Sequence, residues 1–348
     1  MKKRNILLTI LLIVIVMGVT VILDNKINPY IKRVLNLSAI YAIVSLSMNL
    51  MNGFTGQFSL GQAGFMAIGA YTVGIFTLPL EVREQIYYMV PMNSLIANIQ
   101  LPIWLALILG GLIAVVFAIL IGTPILRLRG DYLAIATLGF SEIIRIVLTN
   151  AQSVTNGSLG ITRIPSNSSM PFYFGFLILT IVFMGLLVSS SYGRAFKAIR
   201  EDEIAAEAMG IGLLKHKLMA FVISAFFAAI AGGLYATFLA TVDPKNFLFT
   251  LTYNFLLIIV LGGLGSISGT VISSFIVTGG LEVLRVFDEP LRLFGFNIPL
   301  FRPGLRMVVF SIILILIVLF WPKGIMGKEE LSWNRIFSRK RKANQEVK

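Results

Sequence analysis

The chain of 348 residues contains no cysteine, which excludes disulfides, zinc thiolates and iron–sulfur clusters. It contains one histidine, His216, so a histidine metal site or a Ser-His-Asp triad has almost nothing to draw on. Between Lys215 and Lys217, His216 reads as a loop-edge residue in a basic cluster. Charge is scarce as well: 13% of residues, where a soluble domain carries about a quarter. There is no G-x-x-x-x-G-K-[ST] phosphate loop. The Gly327–Lys328 pair is followed by Glu329 and lacks the upstream glycine turn. ATP hydrolysis by a P-loop is therefore not expected, and neither a cofactor nor a metal is expected.

What the chain does have is apolar length. It is 57% hydrophobic, and runs near 20 residues recur from end to end, each long enough to cross a bilayer. A membrane barrel would instead alternate apolar and polar residues. The expected fold class is an all-α membrane protein with about ten transmembrane helices. The net charge of +13 does not point to nucleic acid, because no basic stripe is interleaved with aromatics. Lys and Arg instead gather in the loops retained inside the cell, where anionic lipid attracts them.

The opening "MKKRNILLTILLIVIVMGVTVIL" has the outline of a signal peptide, yet its apolar run is long and no small-x-small site follows. It is read as a first span with its N-terminus inside. The expected spans are 5–23, 34–51, 60–80, 102–125, 132–150, 171–190, 218–241, 251–264, 269–286 and 304–321. Arg127, Arg129 and the tail then fall inside, which supports ten spans with both termini cytoplasmic. The outer loops 24–33, 77–101, 151–170, 242–250 and 287–303 are poorer in basic residues, although Lys26, Lys32 and Arg33 blur the first. The domain reading is one membrane domain, 1–325, with a mobile basic cytoplasmic tail, 326–348.

Two Gly-rich stretches interrupt the apolar pattern, one in each half. "MNGFTGQFSLGQAGFMAIGAY" joins the second and third spans, and "LGGLGSISGTVISSF" joins the eighth and ninth. Paired interruptions mark broken helices near a transport path; small residues also simply let helices pack closely. Gly56, Gln57, Ser59, Gly61 and Gln62 are the candidate path lining. "GFSEIIR" and "GGLEVLR" each place Glu and Arg three apart, as Glu142 with Arg145 and Glu282 with Arg285. Either these pairs form an outer vestibule for a zwitterionic solute, or they orient neighbouring helices. The turn "TNGSLGITRIP" is either a tight loop or, through Thr155, Asn156, Gly157 and Gly160, a contact for an external partner.

The segment "YGRAFKAIREDEIAAEAMGIGLLKHK", 192–217, is dense in mixed charge. Its alanines favour helix, and Gly210 and Gly212 can end it. One helix or two with a turn near "RED" both fit. Such a segment lies on the membrane surface or docks a partner. The docking candidates are Arg200, Glu203, Ala205, Ala206, Glu207, Met209 and Gly210.

At these residues the chain resembles the M-type permease subunits of bacterial branched-chain amino-acid ABC importers. "GQFSLGQAGFMAIGAY", "LRGDYLAIATLGFSEIIR", "TNGSLGITRIP", "YGRAFKAIREDEIAAEAMGI" and "GGLGSISG" carry the resemblance, in order, over about residues 30 to 325. The resemblance implies a fold similar to the vitamin B12 and ribose importer permeases. It implies a bacterial cytoplasmic (inner) membrane location, a second related permease, two cytoplasmic ABC ATPase subunits and an extracytoplasmic amino-acid-binding protein. It also implies a cytoplasmic Glu-Ala-Ala loop, three residues, then Gly. Ala205, Ala206 and Gly210 fit that pattern, but Ile204 stands where the Glu belongs and Glu203 lies one residue earlier. The Ile-x-Leu-Pro that often follows is absent. A urea or short-amide importer permease is the neighbouring alternative. An ion-coupled transporter is a further one, although the spans carry almost no acids beyond Glu142 and Glu282.

Overall fold

The computed structural model describes residues 3–128, 130–285, 292–293, 296–297, 305–320, 324–327 and 329–331. Arg129, most of the expected outer loop 287–303 and the tail 332–348 lie outside them. Helix dominates the described residues. A two-residue antiparallel ladder, β1 (Arg292–Leu293) with β2 (Phe296–Asn297), is the exception.

The first half begins with α1 (Lys3–Asp24), an apolar helix that packs on α9 (Met170–Ser189) and is exposed along most of its length. Next comes α2 (Pro29–Asn49), which is buried over most of its length and continues as a π-helical turn, Leu50–Phe54. The chain then leaves helix until α3 (Gln62–Thr77). A cap of short helices follows, with α4 (Leu80–Ile86), bent 117° from α3, and α5 (Ser94–Ala97). Arg83 closes this cap: its guanidinium donates to the carbonyls of Ile75, Leu78, Ile96, Ala97 and Ile99. The sequence reading placed only a loop there and passed over Arg83. Two apolar helices, α6 (Ile103–Ile125) and α7 (Asp131–Asn150), complete this half, with a short α8 (Gln152–Thr155) after them.

After α9 come the short α10 (Ser191–Glu201) and α11 (Glu203–Ala208), then the long α12 (Leu213–Leu239). The shorter apolar helices α13 (Phe249–Gly262) and α14 (Ile267–Val283) precede α15 (Leu305–Phe320). By length and composition α1, α2 with its π turn, α6, α7, α9 and α12 each suffice to cross a bilayer. The protein is thus a multi-pass, all-α membrane protein.

Glycine sets how closely the centre packs. A Cβ on Gly69 would stand 1.9 Å from the Ala229 carbonyl oxygen, and one on Gly232 would stand 1.9 Å from that of Met66. Helices α3 and α12 therefore cross at backbone distance, as small-residue packing in membranes permits. Around this crossing, α6 covers α3 and α12, while α2 packs on α9, α12 and α14.

Candidate functional site

In the break between α2 and α3, side chains take up several backbone groups that leave the helix, as an apolar surrounding favours. The π turn ends with the Thr55 N–H and hydroxyl both donating to the Leu50 carbonyl. The Asn52 side chain then stands in for a missing strand neighbour. Its Oδ1 accepts from the Ser59 N–H at 3.0 Å, and its Nδ2 donates to the Ser59 carbonyl at 3.3 Å. Thr137 Oγ1 on α7 accepts from the Leu60 N–H, and Thr252 Oγ1 on α13 accepts from the Ala63 N–H.

The second break, between α13 and α14, is tied to the first. Asn49 Oδ1 accepts from the Gly265 N–H at 2.9 Å. Its Nδ2 donates to the Ser266 carbonyl at 3.0 Å and to Thr270 Oγ1 at 2.8 Å. The turn bends through Gly263 and Gly265, at φ 109° and 87°, a region that favours glycine. Asn49 carries one sequence signal, an amide at the end of an apolar span, and it is fully buried here.

The mixed-charge segment folds as two helices. Asp202, extended at φ −160°, splits them and caps α11, accepting from the Ile204 and Ala205 N–H groups at 2.8 and 3.0 Å. Helix α11 ends with Gly210 at φ 82°. The Ile211 N–H bonds the Ala206 carbonyl and the Gly210 N–H bonds that of Glu207, the pairing of a Schellman cap. The two faces of the segment then separate. Phe196, Ile199 and Ala206 are buried against this chain, while Ile204 and Met209 are 74% and 83% exposed, with Ala205, Glu207 and Ala208 beside them. Ala206 therefore packs inward and is not part of the exposed face. Glu203 Oε1 accepts from Lys217 Nζ of α12 at 2.5 Å, which anchors the segment to its own chain.

Arg200 points inward. Its Nη1 donates to the Gly53 carbonyl at 3.0 Å, and its Nη2 and Nε engage Glu201 Oε1. A Cβ on Gly56 would lie 2.7 Å from Arg200 Cγ, and one on Gly265 would lie 2.9 Å from its Nη1. One side chain of α10 thus touches both helix breaks.

The expected path residues divide in the same way. Gly56 is exposed, at φ 72°, and neighbouring Phe58 is 41% exposed. Gln57, Ser59, Gly61 and Gln62 are buried within the chain. Gln62 Nε2 donates to Ser224 Oγ at 2.8 Å, and Ser224 Oγ donates to the Ser47 carbonyl at 2.6 Å, joining α3, α12 and α2. Gln57 is buried with neither amide atom hydrogen-bonded among the described residues. A cavity of about 440 Å³ between α3, α6 and α7 is lined by apolar groups such as Ile68, Phe117, Phe140 and Val147, and does not reach this stretch.

Outside the breaks, the other expected sites are internally engaged. Thr155 Oγ1 donates to the Leu148 and Ala151 carbonyls, and Asn156 Nδ2 to that of Gly160. A Cβ on Gly160 would lie 2.2 Å from the Val242 carbonyl oxygen, across the Ile161–Val242 bridge. Thr155, Asn156, Gly157 and Gly160 are therefore buried, and the loop exposes Ser158 and Leu159 instead. Both charge pairs are formed: Arg145 Nε to Glu142 Oε2 at 2.7 Å and Arg285 Nη1 to Glu282 Oε1 at 3.1 Å. The second oxygen of Glu142 accepts from the Phe249 N–H, the first of α13, and Glu282 Oε1 accepts from Tyr30 Oη at 2.8 Å. Each acid therefore also holds a neighbouring helix.

Comparison with known proteins fits this arrangement. Residues 30–319 match the family model described as the permease component of branched-chain amino acid transport systems. The chain is 34% identical over 287 residues to the high-affinity branched-chain amino acid permease protein LivM of Escherichia coli K12, covering 73% of this chain and 63% of that relative. It thus spans less than two thirds of that relative's length. A probable LivM of Methanocaldococcus jannaschii is 25% identical over 321 residues, covering 84% and 92% of the two chains. The LivH permease protein of Escherichia coli K12 is 24% identical over 322 residues, covering 85% and 94%. No solved structure matches. The chain belongs to the family of permease components of branched-chain amino acid transport systems.

Proposed function

We propose that this chain is one permease of an ABC importer, carrying branched-chain amino acids across the bacterial cytoplasmic membrane by alternating access. The proposal includes ten spans with both termini cytoplasmic, a related permease as partner, two separate ATPase subunits and an extracytoplasmic amino-acid-binding protein. Family membership supports the assembly, and the absence of a phosphate loop from the sequence assigns ATP hydrolysis to another chain.

The observation that carries the mechanism is the double contact of Arg200. The exposed face of α10 and α11, with Ile204, Ala205, Glu207 and Met209, is the docking surface for an ATPase. Closure of the ATPases drags the hairpin as a rigid body. Because Arg200 is bonded to Gly53 and packed against Gly56 and Gly265, that displacement arrives at both helix breaks. The breaks are where helix can shift most cheaply, since their backbone bonds are made to side chains rather than to a continuous ladder. Gly56 and Phe58, exposed at the first break, face the solute route, and exposed amides there meet a carboxylate.

Uptake by the complex reconstituted in liposomes tests the reading. Leucine entry should require ATP on the ATPase side and the binding protein on the other, with isoleucine and valine competing. Entry driven by an ion gradient without ATP would overturn it. Uptake of urea with no entry of leucine would keep the class and reassign the solute.

A further inference from the structure

Residues 324–327 and 329–331 lie across the α13–α14 turn, where they bond groups at both helix ends that the turn leaves open. At the end of α13, the carbonyls of Leu261 and Gly262 accept from the N–H groups of Ile325 and Met326, at 2.7 and 3.1 Å. At the start of α14, the Glu330 carboxylate accepts from the Ile267 N–H at 2.6 Å, and from the Ser268 N–H and hydroxyl at 3.0 and 2.6 Å. The Ser266 hydroxyl donates to the Glu329 carbonyl, and the Leu331 N–H donates to Ser268 Oγ. An unpaired helix end next to an apolar phase is costly, and a carboxylate at a helix N-terminus is favoured by charge as well as by hydrogen bonding. The fit is close: a Cβ on Gly263 would stand 2.3 Å from the Gly327 carbonyl oxygen, and one on Gly324 would stand 2.6 Å from that of Val260.

The same turn is also held by Asn49 and touched by Arg200. It thus contacts residues 324–327 and 329–331 as well as the segment proposed to receive the ATPase stroke. We infer that residues 324–327 and 329–331 act as a strap, with Glu330 as its positioning residue, that braces the α13–α14 turn so that motion of Arg200 moves α14 rather than bending the turn. This coupling element straddles the boundary at 325/326 between the membrane domain and the tail that the sequence predicts to be mobile. The inference rests on the proposed ATPase-driven mechanism. With the strap in place, push and counter-grip act on one turn. Without it, the stroke is lost as local deformation while the ATPases still turn over.

The test uses the reconstituted complex, with leucine uptake and ATP hydrolysis measured side by side in Glu330→Ala, Glu330→Gln and chains truncated after residue 331 or after residue 323. Glu330→Ala removes a charge-assisted cap and should lower leucine moved per ATP about tenfold, with ATP turnover retained. Glu330→Gln keeps one acceptor oxygen and should recover part of that ratio. Truncation after 331 should match the wild type, and truncation after 323 should resemble Glu330→Ala or worse. An unchanged leucine-to-ATP ratio in Glu330→Ala, or equal loss of uptake and hydrolysis in both Glu330 variants, would overturn the strap. Wild-type uptake that ignores ATP would instead overturn the mechanism beneath it.

Discussion

Among single residues, side-chain direction decides which members of the proposed docking motif are available to a partner. Ala206 is small and buried, so Ala206→Asp would place a carboxylate against this chain's own core and report on folding. Ile204 and Met209 point outward, and Ile204→Asp or Met209→Asp should abolish ATP-driven uptake while the permease still reaches the membrane at wild-type level, checked by immunoblot of membrane fractions. The motif pattern in the sequence marks this segment but not which of its residues are buried and which exposed. Ile204 looked like a defect where the family carries Glu, yet it is among the most exposed apolar residues of the hairpin. Glu203 looked like the displaced acid, but it is paired with Lys217, which lies 14 residues away and was not legible as its partner from spacing. The charge pairs at Glu142 and Glu282 were legible because i to i+3 spacing on a helix fixes them locally. Their second partners, the Phe249 N–H and Tyr30 Oη, were not, because those contacts span 107 and 252 residues. Glu142→Gln keeps an acceptor for Phe249 and should leave uptake close to wild type. Glu142→Leu should lower the apparent Tm of the purified protein, with a loss of about 1 to 3 kcal/mol for the stranded N–H and unpaired Arg145.

At the level of elements, hydropathy located the apolar helices and glycine clustering located their interruptions. Neither could show that the two interruptions touch. That contact depends on Asn49, whose amide makes three bonds to the second break. Asn49→Leu should cost about 2 to 4 kcal/mol, because it strands the Gly265 N–H and the Ser266 carbonyl in a buried site. Thermal unfolding in detergent should register the loss as a clear drop in apparent Tm. The close crossing of α3 and α12 was half legible: Gly69 lay in a recognised Gly-rich stretch, while Gly232 sits in a plain apolar run. Its role appears only when Met66 is seen against it. Gly232→Val should therefore prevent accumulation of folded permease, whereas the same change at Gly139, where a Cβ meets nothing, should be tolerated.

For the whole molecule, the proposed assembly assigns the energy source to another chain, because this sequence carries no phosphate loop. The absence of cysteine makes its orientation measurable, since any introduced thiol is unique. Ser158→Cys, in the outer loop, should react with a membrane-impermeant maleimide in intact cells, and Lys215→Cys should react only after the membrane is opened. The reverse pattern would invert the proposed topology. The cap around Arg83 and the contacts of Glu330 with α14 were not legible in the sequence because each side chain bonds main-chain groups, which every residue carries and no composition signals.

The central claim is that Arg200 conveys the ATPase stroke to both helix breaks, and leucine transported per ATP in Arg200→Ala and Arg200→Lys complexes tests it most directly. The expected result is retained ATP hydrolysis with leucine per ATP lowered at least about tenfold in Arg200→Ala, as befits a lost charge-assisted bond, and partial recovery in Arg200→Lys. Arg200→Ala complexes that move as much leucine per ATP as the wild type would contradict it.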